Sequence, residues 1–148
     1  MKEETKKYTI TCTENQMRLI AESLEMYSRM ICGQLNETFL PPIRSRIFKL
    51  LDMDKDFSKK RNIIDENFSN IKKILWPELD KHSTYGIGYS EDSDLGYEMY
   101  KEILFQFEKE KQKKCEKNNE KYYWNVHSYE NILKLTKEPK IKIKKLKH

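Results

Sequence analysis

The sequence predicts an α+β domain: about four helices with a small antiparallel sheet formed from the N-terminal strand and the C-terminal strands. Two periodicities and the chain length lead there. Apolar residues between positions 14 and 117 recur at spacings of three and four, the period of an amphipathic helix. Both chain ends instead alternate, in Tyr8-Thr9-Ile10-Thr11-Cys12 and in Pro139-Lys140-Ile141-Lys142-Ile143-Lys144, the period of a strand with one covered face. At 148 residues the chain is one domain's worth, so residues 1–148 read as a single domain with 137–148 as a basic edge strand or arm.

The first strand, 8–12, runs into Thr13-Glu14-Asn15-Gln16, which fits a capping box: Thr13 accepts from the Gln16 amide and Gln16 reaches back. A helix over about 14–34 follows. Met17, Ile20, Leu24, Tyr27 and Ile31 share one face, and Leu19, Met26 and Met30 form a second apolar stripe. A helix apolar over so wide an arc is central or meets another subunit, so a homo-oligomer is expected. Gly33 suits the C-terminal cap. Pro41-Pro42 breaks the chain, and Ile43 to Leu51 reads as a short helix. The next helix spans 58–76 and ends because Trp76 precedes Pro77, a position that avoids α backbone. Asp92 is the expected cap of a helix over about 93–117, stopped by Asn118-Asn119. Tyr122 to His127 and Ile132 to Leu135 read as further strands.

Charged residues make up 36% of the chain and hydrophobic residues 37%, and mean hydropathy is −0.91. No apolar run approaches the roughly 18 residues of a membrane span, and Met1-Lys2-Glu3-Glu4 leads into no apolar signal region. No membrane partner and a cytoplasmic location are therefore expected. The cysteines, Cys12, Cys32 and Cys115, are odd in number and far apart, which fits reduced thiols and no structural zinc. Neither metal nor cofactor is expected. With 24 Lys but one Ala and one Val, the composition carries A/T-rich codon bias, so lysine itself says little about function. The net charge of +5 is uneven: residues 137–148 hold six Lys and one acid, and without them 23 bases face 23 acids.

Arginine is more informative in such a chain. Arg18 and Arg29 lie eleven apart, which places them within about 20° on one helix face. They read either as a ladder of Arg18–Glu22 and Glu25–Arg29 pairs or as a planar fork pair aimed at a phosphate or carboxylate. Two of the four glycines fall in Tyr85-Gly86-Ile87-Gly88-Tyr89. This loop reads either as a stacking platform beside exposed amides or as a helix connection packing Tyr on the core. His82-Ser83-Thr84 has the H-x-T form of two-histidine phosphodiesterases, but His127-Ser128-Tyr129 does not repeat it. The basic tail could grip phosphates of nucleic acid, though it has no aromatics for base stacking.

A resemblance adds direction. Tyr8-Thr9-Ile10-Thr11 with Glu14-Asn15-Gln16, Tyr27-Ser28-Arg29-Met30, Gly33-Gln34, Pro77-Glu78-Leu79, Ser83-Thr84-Tyr85-Gly86-Ile87, Tyr97-Glu98-Met99-Tyr100 and Lys137-Glu138-Pro139-Lys140-Ile141 resemble, in order, a family of small bacteriophage and prophage proteins. Phe105-Gln106-Phe107 departs from it, where the family has a polar end containing His. The resemblance implies a phage accessory protein in the host cell cytoplasm that is not an enzyme. It also implies an antagonist of host immunity of the sponge kind, which binds nucleotide signals of Thoeris or CBASS systems without cleaving them. Its ligand would be a small anionic nucleotide of cyclic-nucleotide or ADP-ribose type. On that reading Gln34 and Tyr100 join Arg18, Arg29, Tyr85, Gly86, Ile87 and Tyr89 as ligand-binding residues. The alternatives are an accessory protein binding nucleic acid or a host protein through its basic arm, and a phosphodiesterase around His82.

Overall fold

The computed structural model describes residues 8–35, 57–123 and 133–143, and among them the protein is helical. Its elements are α1 (Glu14–Ile31), α2 (Phe57–Leu75) and α3 (Glu91–Lys117). This overturns the expected α+β class, because no strand occurs among the described residues. The segment 8–12 is irregular, and Tyr8 and Ile10 are 86% and 75% exposed. Alternation there finds no neighbouring strand to bury it, and a lone strand is not stable in water. Residues 139–143 are irregular too, yet Ile141 and Ile143 pack on the helical core while Lys142 faces water. Their alternation reports an extended chain with one covered side, and helices rather than a sheet supply the cover. Leu133–Leu135 and Tyr122–Tyr123 form no strand either. The expected helix at 43–51, His127 and the end of the basic arm lie outside the described residues.

Helix ends follow local chemistry. The Thr13 hydroxyl accepts from the Gln16 amide at 3.3 Å and Gln16 Oε1 accepts from the Thr13 amide at 2.8 Å, so the expected capping box is present. At the other end of α1, Gly33 takes φ +77°, Gly33 N donates to Met30 O and Gln34 N to Arg29 O, each at 3.0 Å. These are the paired bonds of a Schellman cap, which needs a left-handed residue. They end α1 at Ile31, three residues before the expected boundary. Asn119, at φ 53°, plays the same part after α3, with Glu120 N donating to Cys115 O at 2.9 Å. The cap at the start of α3 is Ser90, not Asp92: its hydroxyl accepts from the Ser93 amide at 3.1 Å. Glu91, Asp92 and Asp94 then sit in the first turn, where the helix dipole favours them.

α1 and α3 pack against each other as an antiparallel pair, with Ser28 beside Ser93 at one end and Arg18 over Phe107 at the other. Ala21, Tyr100 and Ile103 form the buried centre, flanked by Met17, Ile20, Leu24 and Leu104. The Ser28 and Ser93 hydroxyls donate to each other's backbone carbonyls at 2.8 and 3.2 Å. So close an approach needs a small residue at the crossing, and Gly96 is there. A Cβ on Gly96 would lie 3.4 Å from Leu24 O, 3.5 Å from Ser28 Cβ and 3.7 Å from Tyr27 Cδ1. One methyl fits at ordinary contact, and Ala is about 1 kcal/mol better than Gly inside a helix. Gly96→Ala is therefore expected to hold or raise the melting temperature, whereas Gly96→Leu should lower it by many degrees. A thermal melt followed by circular dichroism checks both.

The end of α2 docks on the α1 cap. A Cβ on Gly33 would stand 3.2 Å from Leu79 Cδ1 and 3.8 Å from Trp76 Cδ2. Lys72 is buried, and its ammonium donates to the carbonyls of Lys81, at 3.3 Å, and Ser83. Tyr85 N donates to Cys32 O at 3.0 Å. These bonds carry the 77–90 connection to the C-terminal end of α1.

Candidate functional site

Two of the expected ligand residues are bonded directly. Arg29 Nε and Nη2 reach Glu25 Oε1 at 3.0 and 2.9 Å, and Arg29 Nη1 donates to Gln34 Oε1 at 2.9 Å. The Schellman turn puts Gln34 under Arg29, so the pairing is a direct result of the cap. The Glu25–Arg29 pair of the ladder reading is therefore present. Arg18 pairs with Glu14 instead of Glu22, Nε to Oε1 at 3.0 Å, and its guanidinium lies 4.4 Å from the Phe107 ring centre. Eleven residues of helix separate Arg18 from Arg29 by about 16 Å. The two arginines share a face but do not converge on one small anion.

The loop residues come to the Arg29 end. Tyr85 and Tyr89 stack, ring centres 3.7 Å apart and planes 8° apart. The Tyr85 hydroxyl donates to Glu78. That bond holds the phenol proton on, pushing the Tyr85 pKa up to about 12, and draws the Glu78 carboxyl below its usual range. Asp80 Oδ1 accepts from the His82 and Ser83 amides at 2.8 and 2.7 Å, and Asp94 Oδ1 from the Gly88 amide at 2.8 Å. Gly88 takes φ +91°, so the loop turns there through backbone that favours glycine. Ile87 and Tyr89 are exposed, and a Cβ on Gly86 would meet open space. The loop is thus a presented surface at its tip and a bonded turn at its base.

Tyr100 stands apart from that surface. It is 6% exposed and belongs to the core, with the Tyr97 ring edge-on at 5.5 Å. Burial raises its pKa first, with Glu25 adding to the rise and Arg29 opposing it. Its burial follows from its place on the α3 face that meets α1.

Lys101 is the cation that sequence reading missed. Its ammonium lies 5.4 Å from the Tyr100 ring centre and 5.8 Å from that of Tyr97, within cation–π reach. Burial lowers its pKa, while the charges of Glu25 and Arg29 act on it in opposite directions. The signal was the four-residue step from Tyr97 to Lys101, which places them together on a helix. The carboxylates placed at the loop are Glu78, bonded to Tyr85, and Asp80 and Asp94, bonded to loop amides.

His82 is exposed, and its amide is spent in the Asp80 turn. No group of three or more His, Cys, Asp or Glu side chains suited to a metal occurs among the described residues. Nor is any described helix long and apolar enough to cross a membrane. Comparison with known protein families, curated proteins and solved structures finds no match to this chain.

Proposed function

We propose that this is a phage-type, non-enzymatic binding protein that sequesters a small anionic nucleotide of cyclic-nucleotide or ADP-ribose type, and so counters host immunity. One observation carries the reading. Arg29 lies in the same electrostatic neighbourhood as Lys101 and Glu25, and the turn holding Arg29 and Gln34 is hydrogen-bonded to the loop that bears the Tyr85–Tyr89 stack. Planar stacking surface and forked cation are what a base joined to a phosphate requires. Action as a homo-oligomer belongs to the same proposal: Leu19 stays 63% exposed on α1, and Tyr27, beside Gly96 at the α3 crossing, is still 40% exposed. The basic arm is a weaker basis for nucleic-acid binding, since Ile141 and Ile143 pack on the core in this structure and Lys140 lies 3.7 Å from Glu102.

Titration calorimetry against cyclic dinucleotides and ADP-ribose, with the bound ligand released by heat and examined by chromatography, tests the proposal. Intact ligand recovered supports sequestration, altered ligand means an enzyme, and no binding across the panel refutes both. Arg29→Ala is expected to weaken binding about tenfold to a hundredfold, the worth of a charge-assisted hydrogen bond. Arg29→Lys keeps the charge and loses the fork, so it should recover only part of the affinity. His82→Ala should leave affinity and ligand unchanged.

A further inference from the structure

We infer that residues 133–143 are a detachable strap, latched to α3 by the carboxylate of Glu98 and opening as one unit while the α1–α3 pair stays closed. Glu98 is buried, with a side-chain exposure of 7%. Every bond it receives from the strap comes from three consecutive residues. The Lys134 ammonium and the Leu135 amide donate to it, the Thr136 amide reaches Oε1 at 2.6 Å and the Thr136 hydroxyl reaches Oε2 at 3.1 Å. A carboxylate offers about four acceptor sites, so these donors come close to filling it.

Beyond the latch the strap is held more loosely. Lys140 Nζ is 3.7 Å from Glu102 Oε2, a buried oxygen with no hydrogen-bond partner. Ile141 and Ile143 are half-buried against the core. Leu133, Pro139 and Ile141 close over Leu95, Met99 and Glu98 around a cavity of only about 10 Å³. Farther along, Ile141 and Ile143 border an open cleft of about 250 Å³ with Glu102 and Gln106. The strap has no helix or ladder of its own. Segments with few buried apolar contacts open locally before the global core does. When the strap leaves, the Leu95–Met99 side of α3 and the part of the Ala21, Tyr100 and Ile103 cluster under Ile141 and Ile143 meet water, while α1 stays packed on α3.

Native-state hydrogen exchange read by mass spectrometry on the full chain at neutral pH tests this. Glu98→Gln keeps the shape and removes the charge. Exchange at Leu135, Thr136 and Ile141–Ile143 is expected to rise together by at least tenfold, with α1 and the Tyr85 amide unchanged. Three results would overturn the strap: no acceleration, acceleration at 135 and 136 alone, or equal acceleration throughout the helices. Thr136→Val removes a single hydroxyl bond. If Glu98→Gln does not fold, the milder variant must show the same segment-wide pattern at a smaller factor, or the inference fails.

Discussion

Ile103→Ala is expected to lower the unfolding free energy by about 3–4 kcal/mol, toward the upper part of the range for large-to-small core changes. Ile103 is 1% exposed and sits between Ala21 and Tyr100 at the α1–α3 crossing. The loss combines the transfer energy of the removed carbons with the cavity they leave. Little can collapse into that cavity. Ala21 has only a methyl group, which cannot reach into it, and the Ser28–Ser93 bonds hold the helices at a set separation. Domains of this size have about 5–15 kcal/mol in total, so one substitution removes a large fraction. Urea unfolding followed by circular dichroism should show an earlier midpoint with an unchanged slope. A loss below about 1 kcal/mol would mean that this crossing is not the stabilising centre.

Acid is the second large effect, and Glu98 is its source. Burial pushes its pKa up, but the Lys134 ammonium, the Thr136 and Leu135 amides and the Thr136 hydroxyl outweigh it and hold the carboxyl down at about 2. Lys134 is the charged group facing it from the strap, and the Glu102–Lys140 pair lies one turn along α3. A depressed carboxyl stabilises the fold in full above its unfolded pKa, about 4.3, and the contribution fades as pH falls toward the folded value. From pH 5 to pH 2 the wild type should therefore lose about 3 kcal/mol through this group alone. Glu98→Gln should be less stable at pH 7 and should lack this part of the acid slope, so the two curves converge near pH 2. Parallel curves would show that the latch does not set the acid limb. Glu78 and Asp80 are lowered as well, but both are exposed and screened.

Local rules were legible in the residues. Thr13 and Gln16 specify a capping box, Gly33 a C-terminal cap, Asn118-Asn119 the stop of α3, and Pro77 the end of α2, because each depends on backbone geometry within a few residues. The Glu25–Arg29 pair was legible for the same reason. What misled was the alternation at the chain ends. A period of two shows that an extended chain has one side covered, and it does not say by what. For Ile141 and Ile143 the cover is a helix pair; for Tyr8 and Ile10 it is water. The candidate site divides likewise. The Arg29–Gln34 contact follows from α1 and its cap, and the helical spacing of Tyr100 with Ile103 and Phe107 fits its core position against its place among the ligand residues, but the sequence could not show that Arg18 points at Phe107.

The sequence by itself thus determined where α1 and α3 run, how their ends are capped, and that basic charge collects beyond residue 136. Tertiary structure alone decided that no sheet forms among the described residues, that Gly96 and Ser28 set the helix crossing, and that burial lowers the Lys101 pKa. It also decided that Glu98 gathers Lys134, Leu135 and Thr136 from nearly forty residues away. The physical reason is range. Caps and periodicities are energies between neighbours a few positions apart, which composition and spacing display. A buried carboxylate or a close helix crossing gains its energy only once distant segments have excluded water together, and no local pattern encodes that partner.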